Sequence, residues 1–278
     1  MHLKKASHLF FAVTMTAIGV IGLIGGSFAP IWVPVPDTVP GREFLAYLCT
    51  FICLACGVGL LVKRTAAAAA LILLVYLLVW AVLFKLPFIV RAPLVEGSYQ
   101  SNGENAVLIA GAWVLYAWSG KDRNFLAGDL GLRIARVLYG LALIAFGFSH
   151  FVYLDMTAPL VPEWLPGPVF WAYFTGSVYL AAGIAIIVGF GARLGAMVVA
   201  AQITLITLLV WGPMILAGPL SAMHWQETVV SWAITAGAWV VAASLEDRPW
   251  LSRFDGGTSD LSATGSPPAT EPPNAPSR

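Results

Sequence analysis

The chain has 278 residues, of which 59% are hydrophobic and only 10% charged, and its mean hydropathy is +0.83. Soluble domains carry about 25% charged residues, so the composition excludes a soluble globular protein and indicates a polytopic membrane protein. A formal net charge of +1 gives no reason to expect a nucleic-acid partner.

A membrane span needs about 20 mostly apolar residues, and eight stretches qualify, the first at about 9–29. Lys4-Lys5, an apolar run and Ser27-Phe28-Ala29 imitate a secretory signal. Pro30 follows the would-be cleavage point, so the segment reads as a retained helix. Spans at 43–62 and 66–88 follow, then a short one at 104–119. The polar segment 120–132 links two halves, and the later spans fall at 133–153, 169–188, 193–217 and 226–245. The Gly-, Ser-, Thr- and Pro-rich end cannot bury a core and is expected to be disordered. The expected units are a four-helix repeat at 1–119, the linker 120–132, a second repeat at 133–247 and a tail at 248–278.

The division rests on internal similarity. A shift of 126 aligns Val35-Pro36 with Val161-Pro162, Pro40-Gly41 with Pro166-Gly167, and Ala46-Tyr47 with Ala172-Tyr173. It also aligns Gly57 with Gly183 and Gly111-Ala112-Trp113-Val114 with Gly237-Ala238-Trp239-Val240. Leu77-Leu78-Val79-Trp80 pairs best with Leu208-Leu209-Val210-Trp211, which implies small length differences between the copies. Similarity over this length indicates two copies of one unit. Four helices per copy return the chain to its starting side, so the copies run parallel. The expected fold class is therefore all-α, a polytopic membrane protein with eight transmembrane helices in two parallel four-helix bundles.

Lys and Arg set the orientation. A cytoplasmic N-terminus places twelve of them inside and only Arg42, Lys85 and Arg91 outside, so both termini are expected in the cytoplasm.

Polar residues gather on the outer side. His150 ends the fifth span, Asp155, Glu163 and Trp164 follow it, and His224, Gln226 and Glu227 lie at the start of the eighth. Such a cluster suits metal binding or proton relay, and equally suits helix ends at the headgroup level beside aromatic anchors. No tight metal spacing such as H-E-x-x-H occurs, so no metal is expected. Glu104 and Glu227 read as first-turn carboxylates that complement a helix dipole. Lys85, Arg91 and Glu96 read as exposed charges of one outer loop, with snorkelling stems. Gln202 lies at membrane depth, where it either ties helices together or lines a ligand site. Cys49, Cys53 and Cys56 share a stripe of the second span and read as packing residues. Three thiols on one helix make no secreted-type disulfide framework.

The second half, with its helix ending Gly147-Phe148-Ser149-His150, its turn Val161-Pro162-Glu163-Trp164-Leu165-Pro166, Tyr173-Phe174-Thr175-Gly176, Ala182-Gly183 and Arg193, resembles the DoxX-like family of small four-helix membrane proteins. The likeness covers about 133–244, and 9–118 fits as a diverged copy. The second helix carries Gly176-Ser177-Val178-Tyr179 where many relatives have Glu, and the first half lacks a counterpart of His150. The resemblance implies a bacterial inner-membrane protein acting as an accessory or quinone-interacting subunit of a redox assembly, with quinone as the implied cofactor and a redox enzyme as partner. The alternatives are a membrane scaffold that recruits an enzyme, or a transporter of a small or lipidic solute. Catalysis by the chain alone is not expected; as an enzyme it would be an oxidoreductase subunit.

Overall fold

The computed structural model describes residues 2–119 and 126–251. Most of the linker core (120–125) and of the tail (252–278) lies outside them, and so do the expectations attached to those segments. Every regular element among the described residues is helical. Eight long helices are present: α1 His2–Gly25, α2 Arg42–Leu61, α3 Ala66–Arg91, α4 Glu96–Ser119, α5 Asp129–Val152, α6 Pro168–Val188, α7 Ala192–Ala217 and α8 Ala222–Ala243. Six of them, all but α4 and α8, are long and apolar enough to cross a membrane.

The place of α4 and α8 explains their lower hydropathy. Each residue of α4 from Asn105 to Tyr116 is buried, so this stretch turns no face to the surroundings. A helix packed on all sides does not meet the apolar demand that lipid makes on an outer helix. In sequence, the polar start of α4 (96–104) looks like loop, and the span was expected only from 104. The helix begins at Glu96 instead.

The halves do not stand apart as two bundles. α1 packs on α2, α2 on α3 and α3 on α4, while α4 makes its most extensive contacts with α5, in the other half. α5 then packs on α6, α6 on α7, α7 on α8, and α8 returns to α1. α4 and α8 also meet each other inside this ring. At their crossing a Cβ on Gly111 would lie 3.2 Å from the Cα of Gly237. Only glycine allows the two backbones so close.

Each element of the first half is followed, 126 residues later, by its like. α3 contains a π turn at Ala81–Lys85 and α7 one at Thr207–Trp211, each just ahead of a proline, Pro87 or Pro213. Proline has no N–H to donate, and its ring crowds the carbonyl four residues back. Here the helix widens into a wider turn, in which the Leu86 N–H bonds to the Ala81 carbonyl, five residues back. This register corrects the pairing of Trp80 with Trp211. The counterpart of Trp80 is Ile206, that of Trp211 is Lys85, and no length difference separates the third helices.

The Pro-Gly turns start α2 and α6 alike. Gly41 and Gly167 precede the two helices with φ of 66° and 73°, a left-handed backbone that a side chain would strain. At the opposite end, Lys4 pairs with Glu246 at 3.2 Å and with Asp247 at 2.7 Å. The Arg193 guanidinium lies 4.0 Å over the Trp250 ring and donates to the Arg248 carbonyl. Residues 244–251 thereby bind α1 and α7 together.

Candidate functional site

The loops at 26–41, 92–95, 153–167 and 218–221 share the end that charge counting makes the outer one. At this end a cavity of about 360 Å³ lies between the halves, lined by Val33, Pro34, Phe88, Gly97, Gln100, Ser101, Glu104, Gln226 and Glu227. Gly97, Gln100, Ser101 and Glu104 follow the i, i+3, i+4, i+7 spacing that puts residues on one helix face. α8 supplies Gln226 and Glu227, α3 supplies Phe88 beyond its π turn, and the α1–α2 loop supplies Val33 and Pro34. Gln100 and Gln226 are 126 residues apart, so the two halves each contribute an amide from the same position.

Among the described residues, Gln100, Glu104, Gln226 and Glu227 have no hydrogen bond or ion pair from their side chains to the protein. Glu104 and Glu227 are both half-buried. Glu104 lies within electrostatic reach of Lys85, Glu227 and Glu96. These four side chains stand around one space with their polar groups free to bond a ligand, which marks it as a candidate binding site.

Lys85 stands behind this wall and is only 1% exposed. Its Nζ donates to the Val33 carbonyl at 2.7 Å and to Ser101 Oγ at 2.8 Å. Asn102 Nδ2 donates to the Lys85 carbonyl at 2.7 Å, which secures the π turn against α4. Lys85 is therefore not the snorkelling loop charge expected from the sequence. The π turn faces it inward, where it bonds the α1–α2 loop to α4. Ser149 Oγ donates to Glu96 Oε1 at 2.9 Å, and the Gly97 N–H donates to the Tyr153 hydroxyl at 3.1 Å, so the start of α4 is also anchored to the end of α5.

Of the residues singled out in sequence, Glu104, Gln226 and Glu227 line the cavity, while His150, Asp155, Glu163, Trp164 and His224 do not. His150 is half-buried, its Nδ1 lies 2.8 Å from the Phe146 carbonyl and its ring 5.3 Å from that of Tyr179. Asp155 and Glu163 are exposed, as is Trp164 at 68%. His224 sits with its ring 6.2 Å from Trp211. Gln202 donates to the Thr175 carbonyl at 3.1 Å and joins α7 to α6. Cys49, Cys53 and Cys56 are buried and free, and the Tyr76 hydroxyl lies 2.7 Å from Cys49 Sγ.

The first-turn capping read for Glu104 and Glu227 is corrected. α4 begins eight residues before Glu104, and α8 is capped by Ser221, whose Oγ accepts the His224 N–H at 3.2 Å. What the sequence reading missed is the site's other half: Gln100, Ser101, Phe88 and the inward Lys85. Its signals were the recurrence of glutamine at 100 and 226 and the polar face at 97–104.

Residues 131–212 match the DoxX family model, a stretch that runs from the start of α5 through the π turn of α7. No curated protein and no solved structure matches the chain. The match and the apolar helices make this a multi-pass membrane protein with a DoxX segment in its second half. All nine residues lining the cavity fall outside the matched stretch.

Proposed function

We propose that the chain binds a small polar solute in the outer cavity between two parallel copies of one four-helix unit. In this reading α4 and α8 are the fourth and eighth spans, with α4 buried along Asn105 to Tyr116 and α8 exposing Trp232 in its middle. The protein sits in a bacterial inner membrane with both termini in the cytoplasm, so the cavity faces outward. Parallel repeats in transporters are related by an axis along the membrane normal, with the substrate site at their interface. The cavity lies at the outer end of such an interface rather than at the midplane, a place that suits capture of a solute from outside.

One observation carries the reading: two carboxylates and two amides, contributed by the two inner helices, surround a space of about 360 Å³ without protein partners. Carboxylate oxygens accept and amides both donate and accept, so a polar ligand entering this space finds partners on both inner helices. A redox role gains separate support from the same wall. The Gln100 and Gln226 amides and the Ser101 hydroxyl are donors suited to the carbonyl oxygens of a quinone headgroup.

The test is mass spectrometry of protein purified from native membranes in mild detergent, with Phe88→Trp as the cavity-filling control. A polar molecule near one per chain, lost in Phe88→Trp, is the expected result. Stoichiometric quinone or a co-purifying redox enzyme would favour the redox assembly. Recovery of a partner enzyme with no small molecule bound would make the chain a scaffold, and would contradict the solute reading.

A further inference from the structure

We infer that the ligand of this cavity is a protonated primary amine carrying an apolar body, an inference that rests on the cavity being the binding site. The wall holds two carboxylates, Glu104 and Glu227. The nearby cation, Lys85, directs its Nζ to the Val33 carbonyl and Ser101 Oγ and makes no ion pair with either carboxylate within 4.0 Å. Neither carboxylate has an ion-pair partner within 4.0 Å among the described residues, so two acidic side chains line the site and no basic one does. A cationic ligand supplies the missing partner. An anionic one would stand against the two carboxyl groups instead.

The shape and the lining narrow the class further. A volume of about 360 Å³ is far more than a bare ion needs and falls at the low end of small-molecule sites. No group of three or more His, Cys, Asp or Glu side chains among the described residues is placed to hold a metal ion. Val33, Pro34 and Phe88 give the cavity an apolar flank, which suits a hydrocarbon or aromatic body. Quaternary ammonium groups are recognised by cages of several rings, and here the lining has Phe88 alone. A primary ammonium instead has three N–H donors, which match the Glu104 and Glu227 carboxylates and an amide oxygen of Gln100 or Gln226.

Titration calorimetry of the full chain in detergent tests this with benzylammonium, benzyl alcohol and benzoate, three probes of nearly one shape and different charge. Benzylammonium should bind, benzyl alcohol should bind about tenfold more weakly or worse, and benzoate should give no heat. Glu104→Gln and Glu227→Gln should each weaken benzylammonium about tenfold, while Asp155→Asn, an exposed acid at the same end, should leave it unchanged. Equal binding of the alcohol, or tighter binding of benzoate, in the unaltered protein would overturn the amine assignment whether or not the variants fold. If Phe88→Trp then removed that binding, the cavity would still be the site and only the ligand class would be wrong. No binding of any probe would overturn the amine assignment and count against the cavity as well.

Discussion

The third helices of the two halves share one backbone device and present different chemistry with it. In α3 the π turn ahead of Pro87 buries Lys85, which bonds Val33 and Ser101 beside the cavity. In α7 the π turn ahead of Pro213 buries Trp211, whose Nε1 donates to Ser231 Oγ at 2.9 Å. The difference continues on the inner helices, where Ser101 corresponds to Glu227 while Gln100 and Gln226 agree. The helix and π-turn positions thus agree at a spacing of 126 residues, while the side chains at 85 and 211 and at 101 and 227 differ in charge. The cavity draws its acids from Glu104 and Glu227, with the Lys85 ammonium tethered beside it, and position 211 offers an indole in place of that ammonium.

Four substitutions probe that contrast, and a fifth probes the opposite end of the molecule. Lys85→Met removes both bonds at the π turn and leaves Glu104 and Glu227 without their nearby cation. It should cost about 3 kcal/mol, the range seen when one member of a buried charged set is lost, read as a fall in Tm by scanning fluorimetry. Gly57→Ala and Gly183→Ala test whether the halves are alike where they ought to be. An added Cβ would lie 2.4 Å from the Thr16 nitrogen in the first case and 2.7 Å from the Gly140 oxygen in the second. Each should cost about 2 kcal/mol through overpacking, and a large inequality would break the equivalence of the α1–α2 and α5–α6 crossings.

Trp211→Phe, the counterpart of the lysine substitution, loses one hydrogen bond from an otherwise apolar site and should cost about 1 kcal/mol. A loss as large as that for Lys85→Met would contradict the assigned asymmetry. The smallest effect belongs to Asp247→Asn at the inner end. The hydrogen bond and charge of Lys4 hold the Asp247 carboxyl below the usual aspartate range. Its stabilisation is therefore present above the unfolded-state pKa and is lost as pH falls through the lowered folded value. The difference in Tm between wild type and Asp247→Asn should be small at neutral pH and vanish in acid.

Much of the architecture is legible in the amino-acid sequence, because spans announce themselves by apolar length. The expected 43–62 and 169–188 meet helices at Arg42–Leu61 and Pro168–Val188. The fourth helix is the instructive failure. Hydropathy measures fitness for lipid, and 96–104, mostly half-buried beside the cavity, is polar enough to read as loop. Lys85 fails for a related reason: a lysine near a span end looks like a surface charge until the π turn faces it inward. The false pairing of Trp80 with Trp211 shows how readily short Leu-Leu-Val-Trp strings recur within apolar helices. Glu227 was legible as part of an outer polar group, but its neighbours come from α3 and α4, which no local pattern joins to α8.

Side-specific labelling of Gln226→Cys tests the central claim most directly, since Gln226 is exposed and lines the cavity while Cys49, Cys53 and Cys56 are buried. A membrane-impermeant maleimide should modify Gln226→Cys in right-side-out vesicles, and Phe88→Trp in the same chain should slow the reaction by crowding the cavity. Labelling confined to inverted vesicles, or a rate indifferent to Phe88→Trp, would contradict an outward cavity between the two halves.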